Sequence, residues 1–285
     1  MKISDFEFYR DLLQRHAGLS LTPDKTYLFD SRLTPVARKW GYPTIEAMTL
    51  ALRGVPDTRL INDVIETMMF TDTSFFSEPL TFQALSSTLI PHIVSERRRQ
   101  KFIRIWSAGC STGQEAYSVA LTLKEMEADL RGWRVEILGT DISAEAIRRA
   151  QMGVYSQFEV QRGLPIKTLI SHFEERDDSW HINEDIKILT QFETFNILDP
   201  MDELGSFDII FCRNVMTHFD PDLRTSCLTR MADLLLDNGI LLLGESDHPP
   251  IDSASEVLRP LEGLKAAYGL PGGRYGFESQ KKAAG

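Results

Sequence analysis

The chain has 285 residues, of which 42% are apolar and 25% charged. That is material for two modest domains, and it excludes a disordered, fibrous or repeat protein. No apolar run approaches the ~18 residues of a membrane span, and a formal net charge of −10 (31 Lys+Arg against 41 Asp+Glu) repels nucleic acid over most of the surface. The N-terminus, MKISDFEFYRDLLQRH, is mixed in charge and does not read as a signal peptide. The cysteines Cys110, Cys212 and Cys227 match no disulfide framework and no zinc spacing, so a reduced, cytoplasmic, metal-free monomer is expected.

Residues 1–70 read as four short helices. Phe6, Tyr9, Leu12 and Leu13 keep a 3.6-residue period up to Gly18, a C-cap. Thr22–Pro23 opens a second helix that stops at Gly41. Thr44 opens a third, closed by Gly54–Pro56, and Leu60 to Met68 carries a fourth. Residues 71–79 (TDTSFFSEP) form an ordered connecting segment, and a helix runs from Leu80 to about Arg98. Its basic end, Arg97, Arg98, Arg99 and Lys101, is expected to be solvated.

From Phe102 strands and helices alternate. FIRIWS, RVEILGT, ILTQFETFNI and FDIIFC are strands, and helices are expected over 112–130, 143–152 and 221–236. Asn238–Gly239 is expected to turn into the strand ILLLGES. Apolar strands alternating with helices imply a parallel sheet covered on both faces. Residues 154–190 interrupt the pattern as an inserted subdomain with a hairpin at Asp177–Asp178, and the tail from Ser253 through Gly269 supplies an antiparallel end strand. The fold class is therefore α/β within 80–285, preceded by a small all-α domain.

The sharpest local signal is SAGCSTGQEAYS (107–118), a glycine-bearing turn directly after the first strand. Gly109 permits a tight turn and close ligand approach, and Gly113 opens a helix whose amides face the site. The spacing is neither G-x-G-x-x-G nor a P-loop, which disfavours NAD and ATP. It is compatible with S-adenosylmethionine, whose ammonium group can meet Glu115. Three more polar groups follow successive strands: Asp141 in GTDIS, suited to both ribose hydroxyls; Asn196 in FNILD, suited to an adenine edge; and Arg213–Asn214 in FCRNV. Ligands bind open α/β sheets at these carboxyl ends.

Taken together, WSAGCSTGQEAYS, GTDIS, YSQFEVQRGLP, FNILDP, FDIIFCRNV and DNGILLLGES resemble the chemotaxis receptor methyltransferases, the CheR family. YLFDSRLTPVARKWG and LINDVIETM resemble that family's N-terminal domain, so the likeness spans nearly the whole chain. It implies a helical N-terminal domain, a Rossmann-like methyltransferase domain with a small inserted subdomain, and methyl transfer from S-adenosylmethionine to glutamate side chains of chemoreceptors, leaving S-adenosylhomocysteine. The resemblance assigns Thr71, Thr73, Ser77, Gly109, Glu115, Asp141, Asn196, Ile197, Arg213 and Asn214 to the cofactor. The family has an Asn, a Thr and Phe-Phe-Arg where this chain has Thr71, Thr73 and Phe75–Phe76–Ser77, and a tyrosine where it has His218. That arginine and tyrosine lie near the transferred methyl in the family. Ser77 and His218 therefore occupy the helper positions, and Arg162 of QRGLP is a further positioning candidate.

A glutamate carboxylate is already ionised at neutral pH, so methylation needs no general base and no metal; positioning in a dry site must supply most of the acceleration. Lys25, Arg32, Arg38 and Lys39 are spaced to share a face of the second helix that complements glutamate-rich receptor helices. A binding protein for S-adenosylmethionine or S-adenosylhomocysteine with weak or no turnover is the alternative, and methylation of a small molecule or nucleic acid ranks below both.

Overall fold

The computed structural model describes residues 2–69, 72–245, 247 and 257–277. The chain forms two compact units, 1–71 with 218–223 and 72–217 with 224–285.

In the first unit, α1 (Ile3–Ala17) ends at Gly18, whose left-handed conformation sends its N–H back to the Gln14 carbonyl. Thr22–Pro23 leads into a 3-10 turn, Pro23–Lys25, ahead of α2 (Thr26–Lys39) rather than directly into the helix. The next helix, α3 (Ile45–Gly54), is capped by the Thr44 hydroxyl, which accepts from Ala47 N at 3.2 Å. Asp57 caps α4 (Thr58–Met68) through the Arg59 amide. The apolar stripes of all four close on Tyr9, Leu13, Phe29, Leu33, Met48 and Leu60, each almost fully buried. The 218–223 segment joins this unit: the His218 carbonyl accepts from Ser20 N, and the Phe219 ring occupies the space where a Gly18 side chain would stand.

The second unit opens with a helical rod of three parts, α5 (Pro79–Ala84), a π-turn (Leu85–Leu89) and α6 (Ile90–Glu96). Pro91 has no N–H to return to the preceding turn, and the ladder widens there, with Ile90 N bonding to the Leu85 carbonyl. Of the basic run, Arg97 is not a solvated end: it pairs at 2.9 Å with Asp208, which is 2% exposed and also accepts from Arg104 N. A buried carboxylate demands a counter-ion, and the helix end supplies it.

Next come β1 (Phe102–Ala108), α7 (Gln114–Glu125), β2 (Arg134–Asp141) and α8 (Ala144–Met152), capped by the Ser143 hydroxyl as expected. The interrupting segment contains β3 (Val154–Ser156), α9 (Gln157–Gln161), α10 (Ile166–His172), β4 (Phe173–Arg176), β5 (Ser179–Ile182) and α11 (Glu184–Lys187). Its strands make a separate antiparallel sheet ordered β3-β5-β4, turning at Asp177–Asp178, both in left-handed backbone. The main sheet resumes with β6 (Thr190–Thr194), β7 (Phe207–Cys212), α12 (Pro221–Asp233), β8 (Leu235–Leu243), β9 (Arg259–Pro260) and β10 (Ala267–Gly269).

Its order is β6-β2-β1-β7-β8-β10-β9, parallel from β6 to β8, and the tail adds antiparallel β10 with β9 as the end strand. Within β8, Leu235 pairs with Phe207 and Ile240 with Ile209, so Leu236–Gly239 bulge out of the ladder and the apolar run from Ile240 follows the Asn238–Gly239 turn. Ile105, Trp106, Ile209, Ile210 and Leu241 are wholly buried, so both faces of the sheet are covered. The order reverses between β1 and β7, and a crevice forms at the carboxyl ends of strands where connections diverge in this way. No helix among the described residues is long and apolar enough to cross a membrane.

Candidate functional site

The glycine turn after β1 is tied to β2: Gly109 N and Cys110 N both donate to the Thr140 carbonyl, at 2.8 and 2.9 Å. Gly109 has φ +71, and a Cβ there would collide with the Val215 side chain. The close approach that glycine permits is therefore taken up by the loop after β7, not by open space for a ligand. Gly113 caps α7 in left-handed backbone.

Asp141 ends β2. Its Oδ2 accepts from Ser111 N and its Oδ1 from Ser143 N, both at 2.9 Å. One carboxylate thus fixes the turn after β1 to the start of α8, accepts from the Ile142 amide as well, and retains capacity for a ligand hydroxyl.

The third group gathers around Arg213, just past β7, whose side chain is 1% exposed. Its Nη1 lies 3.0 Å from Glu115 Oε2 and its Nη2 3.0 Å from Glu78 Oε2. Nη2 also donates to the Ser77 carbonyl at 2.8 Å, and Nη1 to the Ser77 hydroxyl at 3.3 Å. Glu115 Oε1 accepts from the Ser107 hydroxyl at 2.8 Å. Arg213 Nε is buried with no hydrogen-bond partner among the described residues. Two carboxylates sharing one guanidinium fit a ligand that brings a cation, as the ammonium of S-adenosylmethionine does.

Segment 72–78 packs within the second unit against Tyr155, Phe173 and α7. Phe75 is buried edge-on against Tyr155 and Phe173, and Phe76 N donates to Ser118 Oγ. Gly163 of the QRGLP stretch has φ +88, and any Cβ would strike the Phe75 carbonyl oxygen. That glycine, rather than the adjacent Arg162, is what presses the segment into place. Arg162 instead pairs with Asp72 at 2.8 Å and lies over the Phe158 ring.

The loop after β7 is held from β8. Asp247, 1% exposed, accepts from Asn214 N and from the Thr217 hydroxyl, the latter at 2.7 Å. Asn214 has φ +60, and a side chain on Gly244 would displace it. Asn196 Oδ1 accepts from Leu198 N at 3.0 Å in an Asx turn, and Ile197 is buried with its carbonyl bonded to Arg230.

The structure thus brings Ser77, Glu115 and Arg213 together and ties Gly109 to the Arg213–Asn214 loop. Asp141 lies at the neighbouring strand end, and Thr73 is half-buried on segment 72–78. Arg162 is paired with Asp72 rather than with the Arg213 group, His218 is on the segment of the first unit, and Thr71 lies outside the described residues. Sequence reasoning missed Glu78, Ser107 and Asp247. Only Ser107 carried a local signal, standing at the end of β1, eight positions before Glu115 in the first turn of α7. On α2, Arg32 donates to the Thr67, Met68 and Met69 carbonyls and so closes α4, while Lys39 is paired at 2.7 Å with Asp63. These two cations serve the helical unit itself, leaving Lys25 and Arg38 of the expected basic face.

Burial raises the Glu115 carboxyl above its ordinary 4.5, opposed by the Arg213 guanidinium and the Ser107 hydroxyl. Burial likewise raises Asp141 above its ordinary 3.8, against the amides of Ser143, Ser111 and Ile142. A raised folded-state value means that the neutral acid is favoured on folding. That contribution to stability is complete below the ordinary values and lost as pH rises through the raised ones. Ligand binding needs the ionised forms and runs the opposite way. Affinity for S-adenosylhomocysteine should therefore fall on acidification, starting above the ordinary carboxylate range, while the ligand-free protein gains stability over the same window. Calorimetric titration and thermal denaturation across that range check both signs; affinity that holds down to the ordinary carboxylate values contradicts the expectation.

A family model of the CheR methyltransferase all-alpha domain matches residues 4–64, and one of the CheR methyltransferase SAM binding domain matches residues 71–262. The chemotaxis protein methyltransferase Cher2 of Pseudomonas putida is 31% identical over 247 residues, covering 85% of this chain and 90% of its own. The chemotaxis protein methyltransferase of Vibrio parahaemolyticus is 34% identical over 251 residues, and chemotaxis protein methyltransferase 1 of Vibrio cholerae 35% over 254, each covering 86% of this chain and 90% of its own. With its helical unit and its α/β unit both matched by the corresponding family models, the chain belongs to the CheR methyltransferase family.

Proposed function

We propose that Asp141 and the Glu115–Arg213–Ser77 group hold S-adenosylmethionine for the reaction of this family, methyl transfer to glutamate side chains of chemoreceptors with formation of methyl esters. The buried Arg213, held by Glu115 at Nη1 and Glu78 at Nη2 beside Ser77, is the observation that carries the reading. Glu115 meets the ammonium of the cofactor and Asp141 the ribose hydroxyls. Asn196 and Ile197 border the adenine, and Thr73, Gly109 and Asn214 complete the enclosure. When bound, S-adenosylmethionine supplies a methyl group on a positively charged sulfur.

The acceptor carboxylate is ionised already, so no residue of the chain needs to take a proton. What the chain contributes is alignment and exclusion of water. Ser77, whose hydroxyl is anchored to Arg213, and His218 occupy the sequence positions of the family's helpers, and Arg162 pairs with Asp72. Incubation with a receptor cytoplasmic fragment and methyl-labelled cofactor should place label on the receptor that base releases as methanol, the signature of a carboxyl ester. Intact binding of S-adenosylhomocysteine without base-labile label would overturn the enzymatic reading.

The first unit supplies the receptor-docking face, through Lys25 and Arg38. Arg38→Glu should slow receptor methylation severalfold at low salt and less at high salt, with binding of S-adenosylhomocysteine unchanged. Arg32→Glu should instead destabilise the unit, because three carbonyls at the end of α4 lose their donor. Methylation by Arg38→Glu at the wild-type rate in low salt would remove this face from docking.

A further inference from the structure

We propose that Glu78 gives the buried Glu78–Arg213–Glu115 group an excess negative charge, and that this excess makes the site favour the cationic substrate S-adenosylmethionine over its neutral product. The inference rests on the cofactor reading above and deepens it.

Charge bookkeeping carries the argument. Two carboxylates share one guanidinium at 3.0 Å each, so the group is short of one positive charge. The guanidinium is 1% exposed and the two acid side chains 21% and 11%, so water screens the imbalance poorly. Glu78 has a left-handed backbone (φ 55) at the start of α5, and Glu245 N donates to its Oε1 at 3.4 Å. Glu245 itself pairs with Lys265 at 2.7 Å and adds no net charge. The negative charge of Glu78 also opposes ionisation of Glu115, so the two acids sense each other directly. The resemblance leads one to expect an arginine at position 77, which would cancel the excess, whereas this chain has Ser77.

The two ligands differ by one charge. At neutral pH S-adenosylmethionine carries an ammonium, a carboxylate and a sulfonium, a net +1. After the methyl leaves with the positive charge of the sulfonium neutralised, the thioether product is a neutral zwitterion. Two methylene groups separate that sulfur from the α-carbon whose ammonium Glu115 meets, so the charge that disappears is close to the group that lacks a cation. An excess negative charge therefore attracts the substrate and not the product, and weakens product inhibition.

The ratio of the two dissociation constants tests this, because everything the ligands share cancels in it. Calorimetric titration of the full chain with each ligand should show Glu78→Gln shifting the ratio about tenfold toward S-adenosylhomocysteine, equivalent to about 1.4 kcal/mol. Glu78→Asp keeps the charge and should keep the ratio, even if both affinities fall. Sinefungin, which carries a protonated amine in place of the sulfonium methyl, should follow S-adenosylmethionine. A ratio unmoved in Glu78→Gln, or sinefungin behaving like the neutral product, overturns the inference while leaving the cofactor site standing. Failure of wild type to bind either ligand overturns the cofactor reading, and this inference with it.

Discussion

Arg213→Met should lower stability by about 3–5 kcal/mol and abolish measurable cofactor binding. The cost comes less from the ion pairs lost than from what they leave behind. Glu78 and Glu115 would face each other across the vacated space with no counter-ion, and the Ser77 carbonyl would lose its 2.8 Å donor. At roughly 2–4 °C per kcal/mol for a unit of this size, the melting temperature should drop by about 10 °C. Adding Glu115→Gln to Arg213→Met removes one orphaned charge and should restore part of the loss, so the two substitutions are strongly non-additive. Thermal denaturation of the wild type, both single variants and the double variant closes that cycle. A loss below about 1 kcal/mol in Arg213→Met would mean that the two carboxylates find protons or water without strain, and that the group is not an ion-paired unit.

Asp141→Ala should weaken binding of S-adenosylhomocysteine by about ten- to a hundredfold, or 1–3 kcal/mol, because two ribose hydroxyls lose a charged acceptor. The substitution acts on the protein as well. Ser111 N and Ser143 N both lose their 2.9 Å acceptor, so the turn after β1 comes loose from α8. Adenosine isolates the ribose contribution, since it lacks the amino-acid end. Its affinity should fall in Asp141→Ala and hold in Glu115→Gln. Equal losses for adenosine in both variants would show that the two acids act on the fold of the loop rather than on separate ends of the ligand.

Much of the architecture is written in local pattern. The 3.6-residue stripes of α1 to α4, the Gly18 terminus, the Ser143 cap and the alternation of apolar strands with helices all depend on residues within one or two turns of each other, which is where propensity and capping operate. The carboxyl ends of strands are likewise legible, so Glu115, Asp141 and Arg213 stand out before any contact is known. The inserted hairpin shows itself in the same way, because Asp177–Asp178 is a turn signal between two strand runs. Asn238–Gly239 is legible too: Leu236–Gly239 are the extra residues where β8 bulges against β7, and the paired apolar run resumes at Ile240.

The sequence by itself determined the order of the main elements, the glycine turn after β1 and the acids around it. Only the tertiary structure decided which charge meets which. Arg213 reaches Ser77 from 136 positions away and Glu115 from 98, and no spacing rule spans such distances. The same holds for Arg97 on Asp208 and Arg32 on the end of α4, cations whose local surroundings suggest a solvated or docking role. It also holds for Gly109, whose missing side chain makes room for Val215, and for Asp247, whose partners lie 30 and 33 positions earlier. The physical reason is common to all of them. Period and propensity act through the chain, whereas burial of a charge is settled by whichever opposite group the packing brings within hydrogen-bonding distance.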